Sequence, residues 1–221
     1  MRVVAIVQAR MGSSRLPGKV LLRIGKQTML THVLTRAQAV PGIHEVCVAT
    51  TEKERDDPVV NLTRGAGVRW VRGSEFDVLG RYMLAAQETR ATVIMRVTSD
   101  CPLLDPTVAG LVLQEFLSTP DCAYASNVHP PSWYDGCDVE VFSRAALRWA
   151  HETAEPGERE HVTARLARTP RLTRRNVALP LGADHSRIKL SVDTREDLHR
   201  VRQVYAALQD RARFGWRDVI D

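Results

Sequence analysis

The segment after the first apolar run carries residue types that bind phosphate. It reads Ala9-Arg10-Met11-Gly12-Ser13-Ser14-Arg15-Leu16-Pro17-Gly18-Lys19. Small residues let backbone N–H groups approach an anion closely, and Arg10, Arg15 and Lys19 surround them with positive charge. Guanidinium groups make forked contacts to phosphate, while a lysine adds a compact charge. The sequence therefore predicts a polyphosphate-binding loop; the alternative is a tight surface turn with solvated arginines.

Two common phosphate-binding motifs do not fit this loop. A Walker A loop has four residues between its glycines, followed by Lys and then Ser or Thr. Here the glycines are Gly12 and Gly18, with five residues between them, and Val20 follows Lys19. The dinucleotide fingerprint GxGxxG is also missing from the loop.

Two carboxylates follow apolar runs that we predict to be strands. Asp100 comes after Val93–Val97, and Asp193 comes after Ile188–Val192. Ligands of open α/β sheets bind at the carboxyl ends of strands, so both acids are expected near the loop. Protein sites for Mg²⁺ use one or two carboxylates and share the ion with phosphate. The alternatives are a turn or helix cap for Asp100 and an acid at a helix N-terminus for Asp193.

Strand-like runs alternate with helical patterns in the first half of the chain. The pairs Asp57-Pro58 and Asp105-Pro106 are typical of a helix cap followed by proline. This alternation favours a doubly wound α/β sheet with right-handed crossovers. The predicted strands are Val3–Val7, Glu45–Thr50, Val68–Val71 and Val93–Val97.

The second half is less regular. A final helix is expected to begin with a capping box formed by Thr194 and Asp197. No clear break is visible, so we predict one domain over residues 1–221. Residues 1 to about 120 would bind the nucleotide, and residues from about 121 to 221 would complete and cover the same sheet. The apolar residues at the end leave open that the chain is a fragment of a longer polypeptide. Other predicted elements are strands Val139–Phe142 and Arg175–Leu179 and helices Ala145–His151 and His161–Ala167.

Composition narrows the class of protein. The 221 residues are 44% hydrophobic and 26% charged, which is typical of globular proteins and excludes disordered or collagen-like chains. No apolar run approaches 18 residues and the start lacks signal-peptide features, so we expect a cytoplasmic protein without membrane contact. A net charge of +5 suits a phosphate-bearing ligand but would also suit nucleic acid. The four cysteines have no zinc-like spacing.

The loop and its surroundings resemble a known enzyme family. Residues 7–19 are similar to the signature loop of the cytidylyltransferases that activate sialic acid, 3-deoxy-manno-octulosonate and related acids as CMP conjugates. The spore-coat polysaccharide cytidylyltransferase-like branch is the nearest. The resemblance implies a three-layer α/β/α fold with a mostly parallel sheet, of the nucleotide-diphospho-sugar transferase (GT-A-like) type. Six further blocks follow in the family's order: residues 49–51, 72–82, 99–103, 138–142, 159–163 and 192–198.

The resemblance implies that an acceptor oxygen attacks the α-phosphorus of CTP and that pyrophosphate leaves, with Mg²⁺ as cofactor. We assign Arg10, Arg15 and Lys19 to catalysis at the triphosphate, and the resemblance places metal ligands at Asp100 and Asp193. Ser99 stands where the family usually has glycine, which puts close backbone approach there in doubt. The expected nucleotide-binding residues are Ala9, Arg10, Met11, Gly12, Ser13, Arg15, Lys19, Arg72, Gly73, Ser74, Asp77, Ser99 and Asp100.

Recognition of the base is expected from the backbone near Ala9 and from the block that begins at Arg72. Arg72 and Ser74 can donate to the cytosine carbonyl, and Asp77 can accept from its amino group. The alternative is an ordinary strand-to-helix loop in which Ser74 or Asp77 caps the helix. Arg81, further along the block, is otherwise a charge on a helix surface.

The acceptor would meet residues of the second half. Arg159 or His161 could contact an acidic acceptor, and Asp138 or Glu140 could order hydroxyls; alternatively, Glu140 and Arg159 form an ion pair. The implied acceptor is a sugar acid, a phosphonate or a sugar phosphate, and the implied protein partner is a second copy in a homodimer. The candidates are Asn127, Asp138, Glu140, Arg159, Glu160 and His161.

Two other classes of protein fit the sequence less well. A glycosyltransferase on a related fold would have an Asp-x-Asp motif after a central strand, but Cys101-Pro102 follow Asp100. A nucleic-acid binder would interleave stacking aromatic residues with basic ones, and aromatic residues make up only 5% of this chain. We therefore expect no nucleic-acid partner.

Overall fold

A computed structural model describes residues 1–208 and 214–220. Seven strands form one sheet in the order β5-β4-β1-β6-β8-β7-β9, and β2 and β3 form a separate ribbon. Strands from both halves of the chain therefore share the same sheet. The strands are β1 (Val3–Gln8), β2 (Arg23–Ile24), β3 (Gln27–Thr28), β4 (Glu45–Thr51), β5 (Arg69–Gly73), β6 (Val93–Thr98), β7 (Cys122–Ser126), β8 (Glu140–Ser143) and β9 (Thr173–Asn176).

Helices cover both faces of the sheet. The helices are α1 (Met29–Gln38), α2 (Asp57–Gly65), α3 (Val78–Glu88), α4 (Pro106–Ser118), α5 (Arg144–Thr153), α6 (Ala164–Arg168), α7 (Arg195–Ala207) and α8 (Trp216–Ile220). One apolar cluster joins the sheet to α1, α2 and α4, and a second joins it to α3, α5 and α6. Val3, Ala5 and Val7 belong to the first cluster and Val4 and Ile6 to the second, which is why β1 is apolar at consecutive positions. The predicted three-layer α/β/α arrangement is confirmed.

The direction of the strands determines which loops meet. β5, β4, β1 and β6 are parallel neighbours, whereas β8 runs antiparallel to both β6 and β7. Arg96 of β6 lies opposite Glu140, the first residue of β8. The carboxyl end of β6 and the amino end of β8 therefore reach the same edge of the sheet.

Some predicted elements differ from the structure. Residues 188–192 do not form a strand. Lys189 forms an isolated bridge to Asp135, and the Val192 N–H donates to the Asp100 carbonyl at 2.8 Å. Every second side chain of this segment is apolar and packs against loops and helices, so the sequence shows the same alternation as a strand. β7 was not predicted, β9 ends three residues before its predicted end, and α6 begins at Ala164 rather than His161.

A third apolar cluster joins α7 and α8 to the loops at this sheet edge. The predicted capping box of α7 is confirmed: the Thr194 hydroxyl accepts from the Asp197 N–H at 3.2 Å, and the Asp197 carboxylate accepts from the Thr194 N–H at 3.0 Å. No helix in the part of the chain that the structure describes is long and apolar enough to cross a membrane.

Candidate active site

The loop between β1 and residue 19 is held by its own backbone and by one buried acid. The Met11 carbonyl accepts from the N–H groups of Ser13 and Gly18, both at 2.9 Å. The Met11 N–H donates to the Asp56 carboxylate at 2.6 Å. Gly18 has a φ of 71°, which only glycine adopts without strain, and it turns the chain so that Lys19 points back into the molecule.

Asp56 is a residue that sequence reasoning missed. Asp57 was predicted to cap α2, but it is the first helical residue, and Asp56 precedes it. The Asp56 side chain is fully buried and accepts from Met11 and from the Thr51 hydroxyl instead of capping the helix. A second acid before Asp57-Pro58 was a visible signal, but nothing local indicated a partner 45 residues away.

Lys19 brings the two predicted metal ligands together. Its ammonium donates to Asp100 at 3.0 Å, to Asp193 at 3.1 Å and to the Val192 carbonyl at 2.7 Å. Only 11% of the Lys19 side chain is exposed, so these contacts are shielded from water. The two carboxylates thus converge on one positive charge at the carboxyl edge of the sheet, although they were predicted from separate parts of the sequence.

Asp193 is fixed by α7 and held in its ionised form by neighbouring cations. Its N–H donates to the Asp197 carboxylate at 3.0 Å, and its own carboxylate lies 3.0 Å from Arg15. Burial would raise the pKa of Asp193, but the hydrogen bond from Lys19 and the charges of Lys19 and Arg15 outweigh it and lower this pKa.

The geometry of these acids fits a divalent cation. Two carboxylates that already share one cation can turn their oxygens toward another, and Mg²⁺ uses one or two carboxylates when phosphates and water complete its shell. Within residues 1–208 and 214–220, no group of three or more His, Cys, Asp or Glu side chains is arranged to hold a metal ion. Asp100 and Asp193 would therefore hold a metal together with a ligand rather than alone.

A cavity of about 400 Å³ opens beside Lys19. Arg10 stands at its mouth, with guanidinium nitrogens 3.6 Å from Glu75 and 3.7 Å from Glu160. Met11 and Asp193 adjoin this cavity without lining it. The predicted residues that line it are Ala9, Arg10, Gly12, Ser13, Arg15, Lys19, Ser99, Asp100, Glu160 and His161.

Two further arginines line the cavity and were not assigned to the site from the sequence. Arg81 is only 3% exposed, so its interpretation as a helix-surface charge is wrong. Arg96 interrupts the apolar pattern of β6, and this charged residue within an apolar run is the sequence signal for its place in the cavity wall. In both side chains the buried Nε has no hydrogen-bond partner within the described residues. Unpartnered guanidinium N–H groups beside a basic loop favour an anionic ligand.

The block from Arg72 to Asp77, expected to contact the base, does not line this cavity. The Arg72 guanidinium donates to the carbonyls of Thr51 and Lys53, each at 2.8 Å, and to Asp57 at 2.7 Å. Asp77 caps α3, which is the alternative weighed for it, and lies 2.7 Å from Arg159. The other two predicted residues lie against Arg81: a Cβ on Gly73 would be 3.1 Å from the Arg81 side chain, and the Ser74 carbonyl accepts from the Arg81 guanidinium at 2.5 Å. In this structure the block stabilises the loops around the cavity.

A second cavity of about 750 Å³ adjoins the first, and both are lined by Arg96 and His161. Asp138 and Glu140, two of the predicted acceptor-binding residues, line the second cavity. Asn127 does not, because it is buried and its amide is used by the Cys137 carbonyl and the Val139 N–H, each at 2.8 Å.

The remaining acceptor candidate and the aromatic residues of the second half lie elsewhere. Arg159 lines neither cavity, and it pairs with Asp77 rather than with Glu140. Trp133 and Tyr134 are core residues of the third cluster.

Comparisons with known proteins agree with this architecture. A family model described as cytidylyltransferase matches residues 4–204. The spore coat polysaccharide biosynthesis protein SpsF of Bacillus subtilis is 29% identical over 216 residues, which cover 95% of this chain and 88% of that protein. A solved cytidylyltransferase from Leptospira borgpetersenii is 31% identical with a TM-score of 0.93, over 100% of this chain and 92% of that one. The structure of CMP:2-keto-3-deoxy-manno-octonic acid synthetase complexed with CTP shares the fold, with a TM-score of 0.73 and 19% identity over 94% of this chain and 99% of that one.

Proposed function

The chain belongs to the cytidylyltransferase family, and we propose that it transfers CMP from CTP to an acidic acceptor with release of pyrophosphate. The observation that carries this proposal is the convergence of the basic loop, Asp100 and Asp193 on Lys19 beside a cavity lined by arginines. Phosphoryl transfer depends mainly on positioning and on electrostatic stabilisation, and the cavity supplies cations for both.

The cations of the site have separate tasks in this proposal. Arg15 is exposed and Arg10 is half-buried, and both bind and orient the triphosphate. Lys19 is the buried cation nearest the acids, and it stabilises the charge that develops on the phosphoryl oxygens. To reach the phosphate, Arg10 exchanges its contacts with Glu75 and Glu160.

Asp100 and Asp193 are the proposed ligands of Mg²⁺. When bound, the ion would neutralise charge on the triphosphate. Holding these two acids close together is costly without a cation, and Lys19 provides one in the absence of the metal.

The acceptor is proposed to bind in the second cavity, on the other side of Arg96 and His161. This cavity has an acidic side chain in Asp138 and basic ones in His129 and Arg168, so it suits a ligand with both hydroxyl and anionic groups. A sugar acid has both, and a phosphonate or sugar phosphate remains an alternative. We also propose that two copies associate as a homodimer, which light scattering of the purified protein tests.

The central experiment measures pyrophosphate release. CTP, ATP, GTP and UTP are each offered with 3-deoxy-manno-octulosonate, N-acetylneuraminate, an alkyl phosphonate or a sugar phosphate, with Mg²⁺ or with EDTA. We expect release only with CTP and Mg²⁺ and with at least one of these acceptors. Release that prefers another nucleotide, or that persists in EDTA, contradicts the proposal.

A further inference from the structure

Asp138 lines the second cavity because of the path of the chain before β8. β8 runs antiparallel to β6, so the residues that lead into it start at the edge where Ser99 and Asp100 follow β6. Gly136 has a φ of 114°, and a Cβ there would lie 2.8 Å from the Leu190 carbonyl carbon. This close approach fits only glycine and packs the turn before Asp138 against the segment that ends in Asp193.

The Asp138 carboxylate has no assigned structural role. No hydrogen bond or ion pair to it is found among residues 1–208 and 214–220, although the side chain is largely buried and lines the second cavity. Two neighbouring acids are occupied: Glu140 is bonded to Arg96 and Tyr124, and Asp100 to Lys19. A largely buried carboxylate without a partner is unfavourable, and such groups concentrate at functional sites.

We propose that Asp138 is the general base that accepts the proton of the acceptor hydroxyl as that oxygen attacks CTP. The proposal rests on the proposed function. In this step the acceptor oxygen forms a bond to the α-phosphorus, and the bond from that phosphorus to the oxygen bridging to the β-phosphorus breaks. The hydroxyl proton moves to the Asp138 carboxylate, and pyrophosphate takes the electron pair of the broken bond.

The electrostatic surroundings of Asp138 suit a base that acts near neutral pH. Burial and the charges of Asp135, Glu140 and Asp100 raise the pKa of Asp138 to about 7, and Arg96 opposes this. His129, His161 and Arg168 line the same cavity. A base with a pKa near the working pH combines an ionised form with a strong tendency to take a proton.

The other groups of the cavity are less suited to this step. Glu140 is only 3% exposed, and although burial raises its pKa, Arg96 and Tyr124 lower it overall. Glu158 is bonded to Arg165 at 2.5 Å and to the Glu155 N–H at 3.0 Å. The remaining acid of this cavity among the described residues is therefore Asp138.

Asp138→Asn tests the proposal, with Asp121→Asn as the matched control. Asp121 lies in the exposed turn before β7, at the opposite edge of the sheet. With a hydroxyl acceptor, we expect Asp138→Asn to lower kcat by about 100-fold or more, to leave the KM for CTP near the wild-type value and to abolish the acidic limb of the pH profile. Asp121→Asn is expected to keep the wild-type kcat and pH profile.

A second variant tests the role of the surrounding charge. Asp135→Asn removes one negative neighbour, so the acidic limb is expected to move to lower pH while kcat on its plateau changes less than about threefold. A purely structural role for Asp138 would not predict such a shift. A limb that stays in place in Asp135→Asn contradicts the proposal.

Four outcomes of the wild-type and Asp138→Asn assays overturn it. If the Asp138→Asn variant keeps the wild-type kcat and pH profile, the proton goes to another group. If it raises the KM for the acceptor and leaves kcat unchanged, Asp138 has a binding role only. A wild-type enzyme that uses only phosphonate or phosphate acceptors has no hydroxyl proton to transfer. In these three outcomes the cytidylyltransferase proposal still stands, whereas absence of CTP-dependent release with every acceptor overturns both.

Discussion

At the scale of single residues, Lys19 accounts for the arrangement of the site. Its ammonium donates to Asp100, Asp193 and the Val192 carbonyl, so it joins the loop after β1 to the loop after β6 and to the segment before α7. These three segments are far apart in the sequence. An uncharged residue at position 19 would leave Asp100 and Asp193 facing each other without that cation, although Arg15 and Lys189 would still lie near Asp193.

Lys19→Ala is expected to lower kcat by about 100- to 1000-fold, as the loss of one donor to a developing oxyanion does in other enzymes. Pyrophosphate release at saturating CTP measures it. Lys26→Ala, at an exposed position in the turn between β2 and β3, is the control and should leave kcat unchanged. Turnover of Lys19→Ala within about threefold of the wild type would exclude Lys19 from catalysis.

Asp138→Asn is also expected to stabilise the folded protein. Because the pKa of Asp138 is raised to about 7, the folded state binds a proton at that site more tightly than the unfolded chain. This contribution to stability is therefore lost as pH rises from about 4 to about 7. The melting temperature of Asp138→Asn should exceed that of the wild type at pH 8, and the difference should vanish near pH 4. A lower melting temperature at pH 8 would contradict this account of Asp138.

At the scale of elements, the start of α7 places Asp193. The Asp197 carboxylate accepts the N–H groups of both Asp193 and Thr194 at 3.0 Å and lies 2.7 Å from Lys189. Burial would raise the pKa of Asp197, but the hydrogen bonds from Lys189 and from these N–H groups lower it to about 2. The capping box thus fixes the backbone of the proposed metal ligand as well as the helix.

Thr194→Ala and Asp197→Asn are expected to destabilise the fold and to weaken metal binding. Loss of the Thr194 cap should cost about 1 kcal/mol in the free energy of unfolding. Asp197 stabilises the fold above its unfolded pKa of about 3.8, and this contribution is lost as pH falls through about 2. The difference in melting temperature between the wild type and Asp197→Asn should therefore be largest at pH 5 to 7 and shrink toward pH 2. An equal difference at all pH values would contradict this, and titration of activity with Mg²⁺ tests the effect on the metal.

The sequence predicted the elements of the first half well because their signals are local. Apolar runs such as Val3–Val7 and the proline after Asp105 depend only on neighbouring residues. The prediction of a strand at residues 188–192 was wrong because this segment packs its alternate side chains against helices instead of pairing in the sheet. Asp56 and Arg81 were missed as site residues since their partners lie on other elements, and the Arg72 block was placed near the base by resemblance alone.

At the scale of the whole molecule, a buried charged network connects the two halves. Arg96 of β6 pairs with Glu140 of β8, and the hydroxyl of Tyr124 in β7 donates to Glu140 at 2.5 Å. The network therefore spans three adjacent strands, at the point where the parallel part of the sheet meets the antiparallel strand. It also forms part of the wall shared by the two cavities, so it relates the nucleotide side of the site to the acceptor side.

Glu140→Gln should therefore affect the stability of the entire sheet. The substitution keeps the size of the side chain but leaves the largely buried Arg96 guanidinium, whose side chain is 22% exposed, without its counter-charge, which should cost up to about 3–5 kcal/mol in the free energy of unfolding. Urea denaturation at pH 7 measures the change. The double variant Arg96→Met/Glu140→Leu removes both charges and should lose less stability than Glu140→Gln, because no unpaired charge remains buried. A double variant that is the less stable of the two would show that the pair itself, and not the avoidance of an isolated charge, holds the two halves together.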